Sequence, residues 1–166
     1  RFFLADYYYG PDFIYVATNK GLLKFQLDNK VSQYLEFSDI HGSLGISSLK
    51  VLNDFTILSS KGHGILVIKD DSLYANLTTK EYLLSDMVNY CYVDQEYEQI
   101  WCGTNFGISI YGYTVTNGQL SFKKERDITK QDGLYSNYVN KHILCRDLSW
   151  KHLDLILIYL MHVSQL

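Results

Sequence analysis

Leu23, Phe25 and Leu27 alternate with Lys24 and Gln26, the period-two pattern of a strand with one covered face. Short apolar runs of this kind follow one another along the chain. Three of them share a local pattern: residues 14–21 read Ile-Tyr-Val-Ala-Thr-Asn-Lys-Gly, residues 57–64 Ile-Leu-Ser-Ser-Lys-Gly-His-Gly, and residues 100–107 Ile-Trp-Cys-Gly-Thr-Asn-Phe-Gly. Their closing glycines, Gly21, Gly64 and Gly107, stand 43 residues apart, and the three segments align without a gap. A fixed period in this range, made of short strands and turn glycines, is the mark of a β-propeller in which each repeat is one four-stranded blade.

Each repeat divides into four strands. The first ends in an acidic turn, at residues 2–6 closing on Asp6, at 48–52 before Asn53-Asp54, and at 88–93 before Asp94. The second is the shared motif, and the third follows the glycine at 22–27, 65–68 and 108–111. The fourth is less regular, at 34–37, 73–76 and 120–122, as suits an exposed outer strand. The glycines themselves are turn residues, because a tight hairpin needs positions that accept positive φ.

The fold class expected is therefore all-β, a partial β-propeller of about three blades with a C-terminal tail off the pattern. Residues 1–145 make up the propeller, with blades near 1–45, 46–86 and 87–138 and the start of a fourth from 139; residues 146–166 form a divergent or aberrant tail. Val139-Asn140 repeats Val88-Asn89 at an offset of 51, so the third blade carries about eight extra residues, assigned to the polar hairpin at 113–118 where insertion costs little. The next glycine motif is due near residue 151, but the chain there reads Lys-His-Leu-Asp-Leu-Ile-Leu-Ile-Tyr-Leu-Met. Three readings compete for this tail: an aberrant end through truncation or frameshift, a divergent strand or helix, and a membrane segment. The apolar run of 11 residues at 153–163 is interrupted by Asp154 and His162 and falls short of the ~20 residues that span a bilayer. Closed propellers have about four to eight blades, so the chain is read as a piece of a longer protein. Its unpaired blade faces favour oligomerisation.

Composition narrows the partners. The 166 residues carry 15 basic and 18 acidic side chains, a net charge of −3, and the densest basic run, at 123–127, includes its own acids. That excludes the clustered positive field that nucleic acid needs. Fifteen tyrosines, eight phenylalanines and two tryptophans against one proline favour sheet over helix, and the same rings make sugar platforms.

Candidate chemistry is sparse. Cys91, Cys102 and Cys145 have no zinc-type spacing. If a hairpin turns at 95–98, Cys91 and Cys102 face each other, and a disulfide becomes conceivable though strained. His41, His63, His142, His152 and His162 show no ligand spacing, and Asp94, Glu96 and Glu98 fit either a calcium-binding turn or a solvated one. No catalytic residue, metal or cofactor is assigned. The loops between second and third strands recur once per blade and so project to one face, while their chemistry varies. Asn19, Lys20, Lys61, His63, Asn105 and Phe106 are accordingly the candidate ligand-binding residues; the alternative reading is that they serve as turns alone.

Residues 100–108, Ile-Trp-Cys-Gly-Thr-Asn-Phe-Gly-Ile, and 129–140, Thr-Lys-Gln-Asp-Gly-Leu-Tyr-Ser-Asn-Tyr-Val-Asn, together resemble the two-component regulator propeller repeat. In that family an Ile-Trp-x-Gly-Thr-x-x-Gly-Leu segment and an Asp-Gly-Leu-x-Ser-Asn-x-Val connector recur from blade to blade. The resemblance makes Trp101, Gly103, Thr104, Gly107 and Gly133 motif residues. The first two repeats are degenerate, with Tyr15 and Leu58 in the place of Trp101 and Ala17 and Ser60 in the place of Gly103. Covering roughly residues 1–145, the resemblance implies the periplasmic sensor region of a hybrid histidine kinase of the Bacteroidetes type. It further implies an oligosaccharide ligand, the remaining blades and a second propeller as partners, and no enzyme activity in this chain, which holds no kinase motif. The rival readings are a fragment of a propeller-type polysaccharide lyase or hydrolase and a protein-interaction scaffold. A WD-repeat scaffold is opposed by the absence of Trp-Asp and Gly-His pairs at the repeat positions.

Overall fold

The structure is a computed structural model that describes residues 3–37, 40, 44–134 and 136–140. The expectations for Cys145, for His41, His142, His152 and His162, and for the tail lie outside these described residues. Among the described residues twelve strands form three antiparallel sheets of four. The first holds β1 (Leu4–Tyr9), β2 (Phe13–Thr18), β3 (Gly21–Gln26) and β4 (Ser32–Leu35). The second holds β5 (Ile46–Leu52), β6 (Phe55–Ser60), β7 (Ile65–Lys69) and β8 (Ser72–Leu77). The third holds β9 (Val88–Asp94), β10 (Gln99–Thr104), β11 (Gly107–Thr116) and β12 (Gln119–Ile128).

Each sheet keeps its strands in chain order, so each is a meander, which is one propeller blade. Contacts between sheets concentrate on β1 with β5 and β5 with β9. The first strands therefore lie innermost, and the fourth strands fan outward.

Blades adhere through apolar faces. Tyr15, Ala17 and Leu22 of the first blade share a core with Leu49, Leu58, Leu66 and Ile68 of the second. Ile57, Ile65 and Val67 on the opposite face of the second blade pack with Cys91, Ile100, Cys102 and Tyr111 of the third. The far face of the third blade buries Trp101, Ile108 and Ile110 with Leu134 and Val139. Truncating any of these large side chains to alanine costs about 2–5 kcal/mol.

That packing corrects the gapless alignment of the repeats. In the first and third blades two residues link second and third strands, since Thr18 faces Gly21 and Thr104 faces Gly107. In the second blade the loop is one residue longer, since five residues separate the facing pair Ser59 and Ile65 but four separate Ala17 from Leu22 and Gly103 from Ile108. The extra loop residue moves β6 back by one. Ile57, and not Leu58, thus occupies the place of Tyr15 and Trp101, and Ser59, and not Ser60, that of Ala17 and Gly103. A one-residue shift sends a side chain to the opposite face, and Leu58 indeed packs toward the first blade while Ile57 packs toward the third.

Lys24 stands where the apolar Val67 and Ile110 stand in the other blades. Its ammonium pairs with Asp71 of the second blade and lies 5.0 Å from the Phe13 ring centroid. The Tyr15 hydroxyl donates to the same carboxylate at 2.6 Å. Burial first, and then Asp71, push the Tyr15 phenol above its ordinary range.

Two further expectations shift. The first strand runs to Tyr9 and turns at residues 10–12, so Asp6 is a strand residue. The fourth strand of the third blade is ten residues long. The eight additional residues lengthen β11 and β12 together, since Ile65 faces Leu77 but Ile108 faces Ile128. Asn117 and Gly118, both at positive φ, close this hairpin as a two-residue turn requires. Its tip folds back on the second blade: Tyr74 donates to the Leu120 carbonyl at 3.0 Å and accepts from the Leu120 amide at 3.1 Å.

Gly64 adopts φ +71, and a Cβ there would lie 2.1 Å from the Leu77 carbonyl oxygen, whereas Gly62, at φ +118, has nothing within 4 Å of that position. Gly64→Ala is expected to destabilise the chain by roughly 3 kcal/mol or more through strain and overlap. Gly62→Ala should cost about 1 kcal/mol through strain alone. Denaturant midpoints of the two variants measure the difference; equal midpoints would contradict the register of the β6–β7 loop.

Candidate functional site

Every first strand carries a bulge at the same place. Leu4 faces Thr18 and Asp6 faces Ala17, leaving Ala5 as the extra residue; Ser47 and Asn89 are the extra residues of β5 and β9. A bulge re-aims its side chain and increases local twist. Here it directs successive residues to one end of the innermost strands.

Two of the bulged side chains bond outside their own sheet, Ser47 to the third blade and Asn89 to the connector that follows it. The Ser47 hydroxyl donates to the Val88 carbonyl at 2.6 Å, and Asn89 Nδ2 donates to the Val139 carbonyl at 3.0 Å. One position further on, the Leu49 amide donates to Asp6 Oδ2 and the Cys91 amide to Ser48 Oγ, both at 3.0 Å. These amides sit on the free edge of an inner strand, where no sheet partner is available.

The loops expected to bind ligand are held by hydroxyls at the ends of the second strands. Thr18 Oγ1 donates to the Gly21 carbonyl at 2.9 Å and accepts from the Lys20 amide at 3.0 Å. Thr104 does the same with Gly107 at 2.9 Å and Phe106 at 3.1 Å. Ser60 repeats the arrangement with Gly64 at 3.1 Å and His63 at 2.9 Å. Thr104 was legible as a motif residue, but Thr18 and Ser60 were missed. A hydroxyl before each turn was the available signal, hidden in the second blade by the one-residue shift.

Bulges and loops converge on an open cleft of about 340 Å³ lined by Phe3, Ala5, Asn19, Gly45, Ile46, Ser47, Lys61, Asn89, Tyr138 and Asn140. Of the six candidate residues, Asn19 and Lys61 line it. Asn105 reaches it indirectly, accepting from Asn89 Nδ2 at 2.9 Å. Lys20 lines a separate depression beside Tyr34 and Glu36. Neither His63 nor Phe106 belongs to the cleft, and the Phe106 ring points into solvent. Asn19 Oδ1 accepts from the Phe3 amide at 2.9 Å, which ties the start of the first strand to its own loop.

Tyr138 and Asn140 are delivered by the connector after the third blade. Thr129, Lys130–Asp132 and Gly133 form a capped 3-10 turn, with Gly133 in the left-handed region at φ 105. The second blade repeats it with Thr78, Thr79–Glu81 and Tyr82 at φ 65. Leu83 and Leu134 are the buried anchors that follow. Asp86 accepts from the Thr79 amide, and Asn137 from the Lys130 amide, both at 2.7 Å. The same connector thus recurs at an offset of 51.

Asp94 accepts from the amides of Glu96 and Tyr97 at 3.0 and 3.2 Å, so its carboxylate caps the turn. Among the described residues no cluster of three or more His, Cys, Asp or Glu could hold a metal ion. Asp70 and Asp71 form the two-residue turn between β7 and β8, at φ 50 and 59.

No family model matches the chain, and no curated protein sequence does either. Solved structures do resemble it. The extracellular domain of the putative hybrid two-component system BT3049 from B. thetaiotaomicron superposes with a TM-score of 0.58 at 16% identity, over 81% of this chain and 18% of that one. PorZ, a bacterial surface component of the type-IX secretion system of Porphyromonas gingivalis, gives 0.52 at 10% identity, over 73% and 24%. The WD40 β-propeller domain of Doa1 gives 0.56 at 16%, over 87% and 45%. The chain therefore spans a quarter or less of PorZ and of the BT3049 domain, and what the three likenesses establish is the β-propeller fold.

The connectors carry a pH dependence. The backbone amide of Thr129, and then its hydroxyl, hold the Asp132 carboxyl below its ordinary range; the hydroxyl and amide of Thr78 do the same for Glu81. A depressed carboxyl contributes stability above its unfolded value and loses it as pH falls through the folded one. Asp132→Ala is therefore expected to lower the urea midpoint near neutral pH, with the gap to the parent closing in acid. A gap that stays constant across that range would contradict the capping role.

Proposed function

We propose that this chain is the ligand-sensing part of a two-component regulator propeller. It binds an oligosaccharide at the inner-strand cleft and transmits occupancy through the blade interfaces without catalysis of its own. The observation that carries this reading is the convergence of repeated structural devices on one cleft whose lining suits a sugar. Phe3 and Tyr138 are 58% and 53% exposed, offering apolar ring faces for a pyranose. Asn19, Ser47, Asn89 and Asn140 supply amide and hydroxyl groups for its hydroxyls, and Lys61 supplies a cation.

Among the described residues the cleft lining includes no carboxylate. Glycoside hydrolysis uses a pair of facing carboxyl groups, so the lining favours binding over the lyase or hydrolase reading. It also favours a ligand bearing a carboxylate or sulfate, since Lys61 meets no competing anion among the described lining residues. The likeness to a two-component extracellular domain and the residues of the two repeat motifs support the sensor role and an extracytoplasmic location. Kinase activity would belong to other domains of such a receptor. The likeness to a WD40 domain keeps a protein-docking propeller as the second reading.

Because Ser47 both lines the cleft and bonds the Val88 carbonyl of the third blade, a ligand touching it is coupled to the contact between successive blades. Differential affinity for two arrangements of that contact is what a sensor requires.

Glycan-array screening followed by calorimetry tests the proposal. Acidic oligosaccharides are expected to bind, and Lys61→Ala to weaken them by roughly 10- to 100-fold, the range for a lost charge-assisted hydrogen bond. Tyr138→Ala should weaken neutral and acidic sugars alike. Absence of binding to every glycan, or unchanged affinity in Lys61→Ala, would overturn the assignment of this cleft.

A further inference from the structure

We propose that Cys91 and Cys102 are a disulfide-forming pair that locks the two inner strands of the third blade. The pair stands on backbone geometry alone and does not depend on what the cleft binds. Cys91 on β9 faces Cys102 on β10 directly. Facing residues in an antiparallel ladder alternate between hydrogen-bonded pairs about 5.5 Å apart at Cα and non-hydrogen-bonded pairs about 4.5 Å apart. Two independent observations place this pair in the second class.

The Cys91 amide donates to Ser48 Oγ on the neighbouring blade, so it points away from β10. From the other side, the two-residue turn at residues 105–106 closes on the pair Thr104 and Gly107, and such a turn is flanked by a hydrogen-bonded pair. Counting back along β10, Cys102 and Ser109 are again hydrogen-bonded, which turns the Cys102 amide toward β11 and away from Cys91. The thiols therefore occupy the closer spacing, inside the Cα range of about 4.4–6.8 Å that a disulfide spans.

In this structure both thiols are free and buried. Cys91, by hydrogen bonding, and then burial hold the Cys102 thiol well above its ordinary range, and with both side chains fully buried neither sulfur is within reach of an oxidant in the packed blades. Both belong to the core between the second and third blades with Ile57, Ile65 and Val67. The bond must consequently form before these blades dock.

The co-reactant is a disulfide oxidant. One cysteine thiolate attacks it and expels a thiolate, giving a mixed disulfide; the second thiolate attacks the first cysteine's sulfur and expels the other half. Two protons and two electrons leave the chain, and the oxidant departs as two thiols. Docking of the second blade then shields the bond from reductant.

The test is to refold the full chain, and a Cys145→Ser variant, in an oxidising glutathione buffer. Remaining thiols are alkylated in denaturant and the peptides mapped. The expected product in both proteins links the Cys91 and Cys102 peptides, with a mass about two units lower than the reduced form and no alkylation at either site. Recovery of both cysteines alkylated overturns the proposal. So does a parent chain whose only linkage runs through Cys145. Should the variant fail to fold, the peptide map of the parent chain decides.

Discussion

The inner strands of a propeller have a free edge toward the axis, and their amides there need partners that a sheet cannot give. This chain meets the need with side chains from the preceding blade. Asp6 takes the Leu49 amide and Ser48 takes the Cys91 amide, while the bulges at Ala5, Ser47 and Asn89 bring those three residues themselves into the cleft. An unpaired buried amide costs about 1–3 kcal/mol, so the arrangement fixes how each blade may sit on the last. The apolar faces then fill in around it, and the cleft is the space left where the bulges and the second-to-third strand loops meet.

The same constraint explains how the repeat could be read so far and no further. The period of glycines and alternating strands revealed the blades because turns and pleats are local, and local chemistry leaves a local trace. Gly21 and Gly107 adopt almost the same φ, 133 and 132, and the sequence around them is nearly interchangeable. The facing of Cys91 and Cys102 was likewise legible, since a four-residue turn at 95–98 sets it by counting.

What escaped was non-local. The shift of β6 by one residue leaves the glycine interval at 43 and shows itself only through which face Ile57 and Leu58 cover. Lys24 looked like the polar side of a strand, whereas it lies between blades because Asp71, 47 residues away, neutralises it. The bulges carry no composition signal, with alanine, serine and asparagine in the three places. For the same reason the candidate site was half legible: loop position identified Asn19 and Lys61, but Ser47, Asn89, Tyr138 and Asn140 enter the cleft through strand irregularities and the connector.

The cleft shares Ser47 with the contact between the second and third blades and Asn89 with the connector, and the proposed function rests on that sharing. The most direct measurement is residue-resolved amide hydrogen exchange on the parent chain and on the Asp6→Ala and Ser48→Ala variants. The account predicts that the Leu49 and Cys91 amides exchange as slowly as ladder amides in the parent, and that each loses protection selectively when its own acceptor is removed. Rapid exchange at both sites in the parent, or protection untouched by either substitution, would contradict it.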